Sequence, residues 1–229
     1  MKRIRKKAAP PAFVEWARSF GRPNSVHDWK HLPGDLSNLL HLEMSSEQGG
    51  LCCYCSMVLR SGGHIEHFHA RHVYLDRMFD YGNLHLSCMG ALEHAGREPV
   101  DPAVEHCGHA KDAGGMPAPV VDPQAADCES YFRYAGNGAI RATKGEVKAG
   151  LAKQTIDALG LDCEPLRRMR AAAIDQALKD IQVLPRAEWQ RRYLEPDAEG
   201  RFAEFQPVIR YQYNKDWYRF PDPAASAGQ

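Results

Sequence analysis

Apolar residues recur along this chain with two different periods. Phe13, Trp16, Ala17 and Phe20 fall at helical spacing, and Leu36, Leu39, Leu40 and Leu42 form a second such set, so residues 12–48 are expected to be mostly helical. Turn signals cluster from Gly21 to Gly34, and Gly49-Gly50 closes the second helix, because glycine enters the left-handed conformation of a helix end without steric cost. Residues 131–143, YFRYAGNGAIRAT, read as a hairpin: Phe132 and Tyr134 share one side, Asn137-Gly138 turns, and Ile140 returns. The helical period comes back from Gly145 to about Leu184, with Leu151, Thr155, Ile156 and Leu159 as one set and Leu166, Met169, Ala173, Ile174, Leu178 and Ile181 as another. Residues 113–127, AGGMPAPVVDPQAAD, carry neither period and read as a linker or an irregular wrap. The pattern predicts a mainly helical α+β protein in three stretches: 1–50 as an arm and helices, 51–127 as a core rich in Cys and His, and 128–229 as a mainly helical region.

Charge and composition narrow the classes. The 229 residues hold 29 basic and 29 acidic side chains, so any nucleic-acid-binding surface has to be local. No apolar run approaches the roughly 18 residues of a membrane span. Residues 1–11, MKRIRKKAAPP, are basic and Pro-rich but lack the apolar stretch of a signal peptide, so a cytoplasmic location with no membrane partner is expected. That segment reads as an extended arm, either a disordered tail or a docking element. An interface with a partner protein is expected on this arm or on the C-terminal half. Seven cysteines in a reducing compartment are read first as metal ligands.

Four short segments carry the chemistry. Cys52 and Cys55 form a CxxC knuckle, which turns two thiolates toward one ion, and Cys88 and Cys107 are the natural second pair for a tetrahedral zinc. The bland alternative is four small buried side chains. Cys53, Cys128 and Cys163 are left over. Residues 62–72, GGHIEHFHARH, place four histidines and a glutamate within nine positions. On a strand, Glu66 and His67 face opposite sides, with His64 on the side of Glu66. A carboxylate that holds a divalent ion beside an imidazole that takes a proton from water is suited to phosphodiester hydrolysis; a surface His cluster or a second zinc site is the other reading. Residues 81–88, YGNLHLSC, place Asn83 at the opening of an apolar segment, where it could simply cap a helix. Residues 106–112, HCGHAKD, set His109 and Lys111 just after Cys107.

In this order, CxxC, Glu-His, Asn-Leu-x-Leu-x-Cys and Cys-Gly-x-x-Lys, the segments resemble the HNH endonucleases that carry a four-cysteine zinc frame. MKRIRKKAAPP, GGLCCYC, HIEHF, GNLHLSC, CGHAKD, NGAI, QTIDALGLD and LRRMR further resemble the HNH proteins encoded with retrons and in Septu anti-phage systems, the PtuB-type family, over roughly residues 1–175. The resemblance implies a ββα-metal core. It implies His67 as general base and Asn83 as the residue that positions the base-bearing loop. It places Glu66 as the first ligand of a catalytic Mg²⁺ or Mn²⁺, and Cys52, Cys55, Cys88 and Cys107 as a structural Zn²⁺ frame. The second metal ligand falls by count on Lys111, but protonated lysine is a poor ligand and His109 is the better chemical choice. Lys111 and Arg71 are then expected to hold the substrate phosphate. The implied function is cleavage of DNA or RNA as the effector of a bacterial anti-phage system, under control of a PtuA-type partner ATPase; no Walker phosphate loop occurs in this chain.

Two further patches have a binding reading and a packing reading. RYQYNKDWYRF, residues 210–220, mixes aromatics with Arg210, Lys215 and Arg219, which suits single-stranded nucleic acid, although packing is favoured for the rings. Arg167, Arg168 and Arg170 read as a solvated face or a nucleic-acid groove. Trp189, Tyr193 and Phe202 read as packing. The rival functions are a zinc-containing nucleic-acid-binding module without catalysis and an adaptor whose helical half docks partners.

Overall fold

In a computed structural model that describes residues 1–20, 29–60, 62–92, 101–112 and 118–223, the two apolar periods become seven α-helices and two antiparallel strand pairs. The turn signals at 21–28 and the first five residues of the 113–127 segment lie outside the described residues.

The first half runs α1 (Pro11–Phe20), α2 (Gly34–Gln48), the cysteine knuckle, β1 (His64–His67), β2 (Leu84–Ser87) and α3 (Cys107–Asp112). Pro11 opens α1 where a missing amide hydrogen costs nothing. Gly49 ends α2 at φ 60°, and Gly50 N–H donates to Ser45 O at 2.9 Å, as the sequence led one to expect. β1 pairs with β2 antiparallel, with His64 opposite Ser87 and Glu66 opposite His85. Phe13, Leu40, Met44, Tyr81, Leu84 and Leu86 pack together, which fixes α1 and α2 against β2.

The second half is β3 (Phe132–Tyr134) and β4 (Ile140–Ala142), then α4 (Glu146–Ala158), α5 (Glu164–Asp180), α6 (Arg186–Tyr193) and α7 (Gln206–Lys215). The β3–β4 hairpin forms where the alternation placed it, with Phe132 and Tyr134 both buried. Its turn needs glycine: Gly138 sits at φ +78°, and a Cβ there would lie 1.9 Å from the Arg167 carbonyl oxygen. The helical stretch from 145 to 184 is divided, because Gly160 at φ +55° turns the chain between α4 and α5.

One buried cluster draws on all three stretches, joining Met1 and Ile4 to the knuckle cysteines, Phe132, Leu166, Trp189 and Trp217. The N-terminal arm is therefore neither a loose tail nor a free docking element. Met1 and Ile4 are buried, Ile4 N–H donates to Pro123 O at 2.8 Å, Arg3 N–H donates to Glu129 at 3.0 Å, and Lys6 pairs with Glu47 at 2.7 Å. Sequence-based reading weighted its charge and prolines; the two apolar residues set among the cations hold it in the core.

The arginine patch divides: Arg167 and Arg168 lie on a solvated face as expected, and Arg170 does not. Arg170 is 1% exposed and donates to Gly138 O at 2.6 Å and Leu161 O at 2.8 Å, so it staples the hairpin turn to the α4–α5 corner. Arg167 pairs with Asp162 and Arg168 with Glu164, both of them exposed to solvent. Three of the C-terminal aromatics pack, for Tyr213 stacks on Trp189 at 5.1 Å, Tyr211 meets Tyr134 at 5.7 Å and Trp217 is buried, whereas Tyr218 and Phe220 are exposed.

Candidate functional site

The knuckle is shaped by backbone bonds. Leu51 and Val58 bridge antiparallel, Cys52 N–H donates to Met57 O at 2.8 Å, and Ser56 adopts φ 65° to close the turn. This aims Cys52 and Cys55 at Cys88, which follows β2, and at Cys107, the first residue of α3. The four sulfurs are buried and all lie within 4.8 Å of one another, with Cys52–Cys107 at 3.8 Å and Cys55–Cys88 at 3.9 Å. Ligands about 2.3 Å from a tetrahedral zinc are about 3.8 Å apart, so the set has the right size for such an ion. Backbone amides of Cys88 and Met57 point at the Cys52 and Cys55 sulfurs at 3.4 and 3.5 Å, which favours thiolates. Without a cation the thiols oppose each other's ionisation: burial, then hydrogen bonding with Cys52, pushes Cys107 well up, whereas hydrogen bonds from Cys107 and its neighbours outweigh burial and bring Cys52 well down. Cys107 holds φ 60°, an uncommon conformation for a side-chain-bearing residue, and its N–H donates to Leu159 O at 2.8 Å, which ties the cluster to the second half. Cys53, Cys128 and Cys163 are not members of the four-sulfur group.

Beside the cluster an open cleft of about 690 Å³ runs along β1, between α2 and the start of α3. Its lining includes His64, Glu66, His67, Arg71, Gly108 and His109. Cys107 and His109 thus sit two residues apart on one short helix, the first in the cluster and the second in the cleft. His64 and Glu66 share a side of the strand as alternation requires, with His64 Nε2 3.6 Å from Glu66 Oε2. Arg71 is half-buried at the rim, where a phosphate oxygen could reach it.

His67 is more enclosed than a surface-facing base. It is 7% exposed, and the Trp29 ring meets it edge-on at 4.5 Å. Its Nε2 lies 3.0 Å from Met78 O. A carbonyl oxygen only accepts, so this nitrogen carries the hydrogen and Nδ1 keeps a lone pair. Burial pulls its pKa down to about 4, which leaves the ring neutral near pH 7.

Asn83 does not cap a helix. Its Oδ1 accepts from His69 N–H at 2.7 Å, and its Nδ2 donates to His69 O and Arg77 O, both at 3.0 Å. One buried amide therefore clamps both ends of the 69–77 loop, and the next carbonyl along, that of Met78, is the one that orients His67.

Lys111 is placed differently from expectation. It is 4% exposed, does not line the cleft, and gives its ammonium to Glu66 Oε1, His67 O and Phe68 O. The lysine is a buried counter-ion of Glu66. Glu66, 3% exposed, also accepts from Tyr54 O–H at 3.0 Å. Burial alone would raise its pKa, but His64, Lys111 and Tyr54 together hold the carboxyl below its usual value.

Sequence reasoning missed Tyr54 and Trp29. Tyr54 lies inside the CxxC, and the tightness of that turn was the available signal. Trp29 lies in a segment without period, and nothing in the sequence marked it. No protein-family model matches this chain, and no curated protein is found similar to it. The functional reading therefore rests on this chain's own residues.

Proposed function

We propose that this chain is a metal-dependent endonuclease of the HNH type, and that its four-thiol cluster is a structural zinc site. The observation that carries the reading is the setting of His67. It is a neutral imidazole, fixed through Nε2 by a carbonyl of a loop that Asn83 clamps, and it stands beside Glu66 at the edge of an open cleft.

Each residue then has a task. His67 Nδ1 takes the proton as a water oxygen attacks phosphorus, and the opposite phosphorus–oxygen bond breaks. Asn83 keeps the loop, and through Met78 O the imidazole, in place. Glu66 and His109 are the groups in the cleft that would hold a divalent ion, which when bound supplies positive charge to the phosphate and the departing oxygen. Arg71 pairs with a phosphate oxygen. The family resemblance carried by residues 1–175 extends the reading to an anti-phage effector that a PtuA-type ATPase restrains or releases.

A second reading has one observation in its favour. The Lys111 ammonium already neutralises Glu66, as suits a zinc-containing nucleic-acid-binding module without catalysis. The deciding experiment incubates labelled DNA and RNA with the zinc-loaded protein and Mg²⁺ or Mn²⁺, alone and with a PtuA-type ATPase as the proposed partner. Cleavage by the wild type that disappears in His67→Ala, with zinc content unchanged, supports the nuclease. Intact strands under every condition, or equal cleavage by His67→Ala, overturn it.

A further inference from the structure

We propose that His64 is a third protein ligand of the cleft's divalent ion, so that His64, Glu66 Oε2 and His109 form a site of two imidazoles and one carboxylate oxygen that selects a transition ion over Mg²⁺. The inference rests on the nuclease reading only for the use of the site; the site stands on its own geometry.

The two oxygens of Glu66 are in different settings. Oε1 accepts from Tyr54 O–H and from the Lys111 ammonium, which fill its two lone pairs. Oε2 lies on the cleft side, 3.6 Å from His64 Nε2. Tyr54 and Lys111 are thus positioning residues, which turn Glu66 so that one oxygen is offered. Gly108 shows how closely α3 stands over this pair: a Cβ at that position would lie 2.5 Å from Glu66 Oε2 and 2.8 Å from His64 Nε2. The next residue is His109, whose ring centroid is 4.6 Å from that of His64. His64 Nδ1 is buried with no hydrogen-bond partner, and the contacts of the ring run to Glu66 and His109. The three ligand groups do not share the tight spacing of the four thiols, which is the one such group among the described residues. His109 is half-buried and lines the cleft beside His64.

The charge balance decides the ion. Mg²⁺ prefers anionic and carbonyl oxygens in a near-ideal octahedron and keeps several waters. Here the one carboxylate already faces an ammonium, and the other two ligands are neutral imidazoles, which suit Mn²⁺ poorly as against Co²⁺, Ni²⁺ or Zn²⁺ but suit Mg²⁺ least. Mn²⁺ is the spectroscopic probe among these ions.

The test is an electron-paramagnetic-resonance titration of the zinc-loaded full chain with Mn²⁺, followed by measurement of nitrogen couplings on the bound ion. One Mn²⁺ per chain coupled to two imidazole nitrogens is expected, with one nitrogen left in His64→Ala and a loss of affinity of about tenfold or more. Tyr54→Phe should weaken Mn²⁺ binding while zinc content holds, and equimolar Mg²⁺ should not displace the ion. Bound Mn²⁺ with no imidazole coupling in the wild type, His64→Ala binding as the wild type does, or displacement by equimolar Mg²⁺ overturns the inference. The wild-type spectrum decides even if a variant does not fold. A protein with the two-nitrogen spectrum that cleaves no nucleic acid sinks the nuclease reading and leaves this inference; one that cleaves with Mg²⁺ and lacks the spectrum does the reverse.

Discussion

The cysteine cluster and the cleft meet at one short helix and behave as opposites. The knuckle and Cys88, which follows β2, form the rest of the cluster, β1 and α2 line the cleft, and α3 gives Cys107 to one and His109 to the other. In the cluster every thiol is buried, the sulfurs all lie within 4.8 Å of one another, and backbone amides support them. In the cleft the side chains line open space, and the one acidic group is partly satisfied by a lysine. Closed sites of the first kind hold a fold together, whereas open sites keep positions for water or substrate. A rigid cluster behind the strand pair can fix the position of groups in front of it, because a single short helix spans both.

The sharpest way to break this comparison is to remove a thiol. Cys107→Ser, or a strong chelator, should abolish the cooperative melting transition, since structural zinc supplies folding free energy directly; His109→Ala should leave the melting temperature within a few degrees. Calorimetry together with elemental analysis checks both, and a folded Cys107→Ser protein would mean that the cluster is only packing.

The next effect is kinetic. His67→Ala should reduce cleavage by about 10² to 10⁴, the usual contribution of a general base, with its zinc retained. Rate constants on labelled nucleic acid measure this, and an equal loss of zinc would move His67 from the cleft's chemistry to the cluster's stability.

Acid probes the strand pair that joins the two regions. His85, opposite Glu66, is fully buried with both ring nitrogens unpartnered, and burial lowers its pKa to about 3. Above its unfolded value of about 6.5 it is neutral in both states and contributes no pH dependence. Between about 6.5 and 3 the unfolded chain takes up a proton that the folded one excludes, so stability falls as pH falls, by about 1.4 kcal/mol per pH unit for this group. Urea melts from pH 7 to pH 4 should show that slope, and His85→Leu should flatten it.

Asn83→Ala should cost about 1–3 kcal/mol, because it leaves buried backbone groups of His69 and Arg77 unsatisfied. It should also slow cleavage in a way that added metal does not rescue, unlike Glu66→Ala. The smallest effect is expected from Arg71→Ala at the cleft rim: weaker substrate binding with a shallower salt dependence, by about one phosphate contact, and no change in melting.

The sequence alone determined the kinds and order of the elements and the identity of the chemical groups. Alternation and helical spacing are local, and so are a knuckle, an Asn-Gly turn and a Glu-His pair; each is legible because the physics that produces it acts over a few residues. It also gave the membership of the four-cysteine set, since thiols leave few other roles in such a pattern. What only the tertiary structure decided depends on groups far apart in the chain. Lys111 and His109 are two residues apart and equally available by count, but one turns under β1 to Glu66 and the other into the cleft. Asn83 became a clamp, not a cap, because His69 and Arg77 return to it through space. The cationic arm became part of the core because Met1 and Ile4 found the apolar surface of the second half. Arg170 became a staple because the hairpin turn and the α4–α5 corner offered two carbonyls. Burial, pairing and desolvation are properties of the assembled neighbours, and no period along the chain encodes which neighbours those will be.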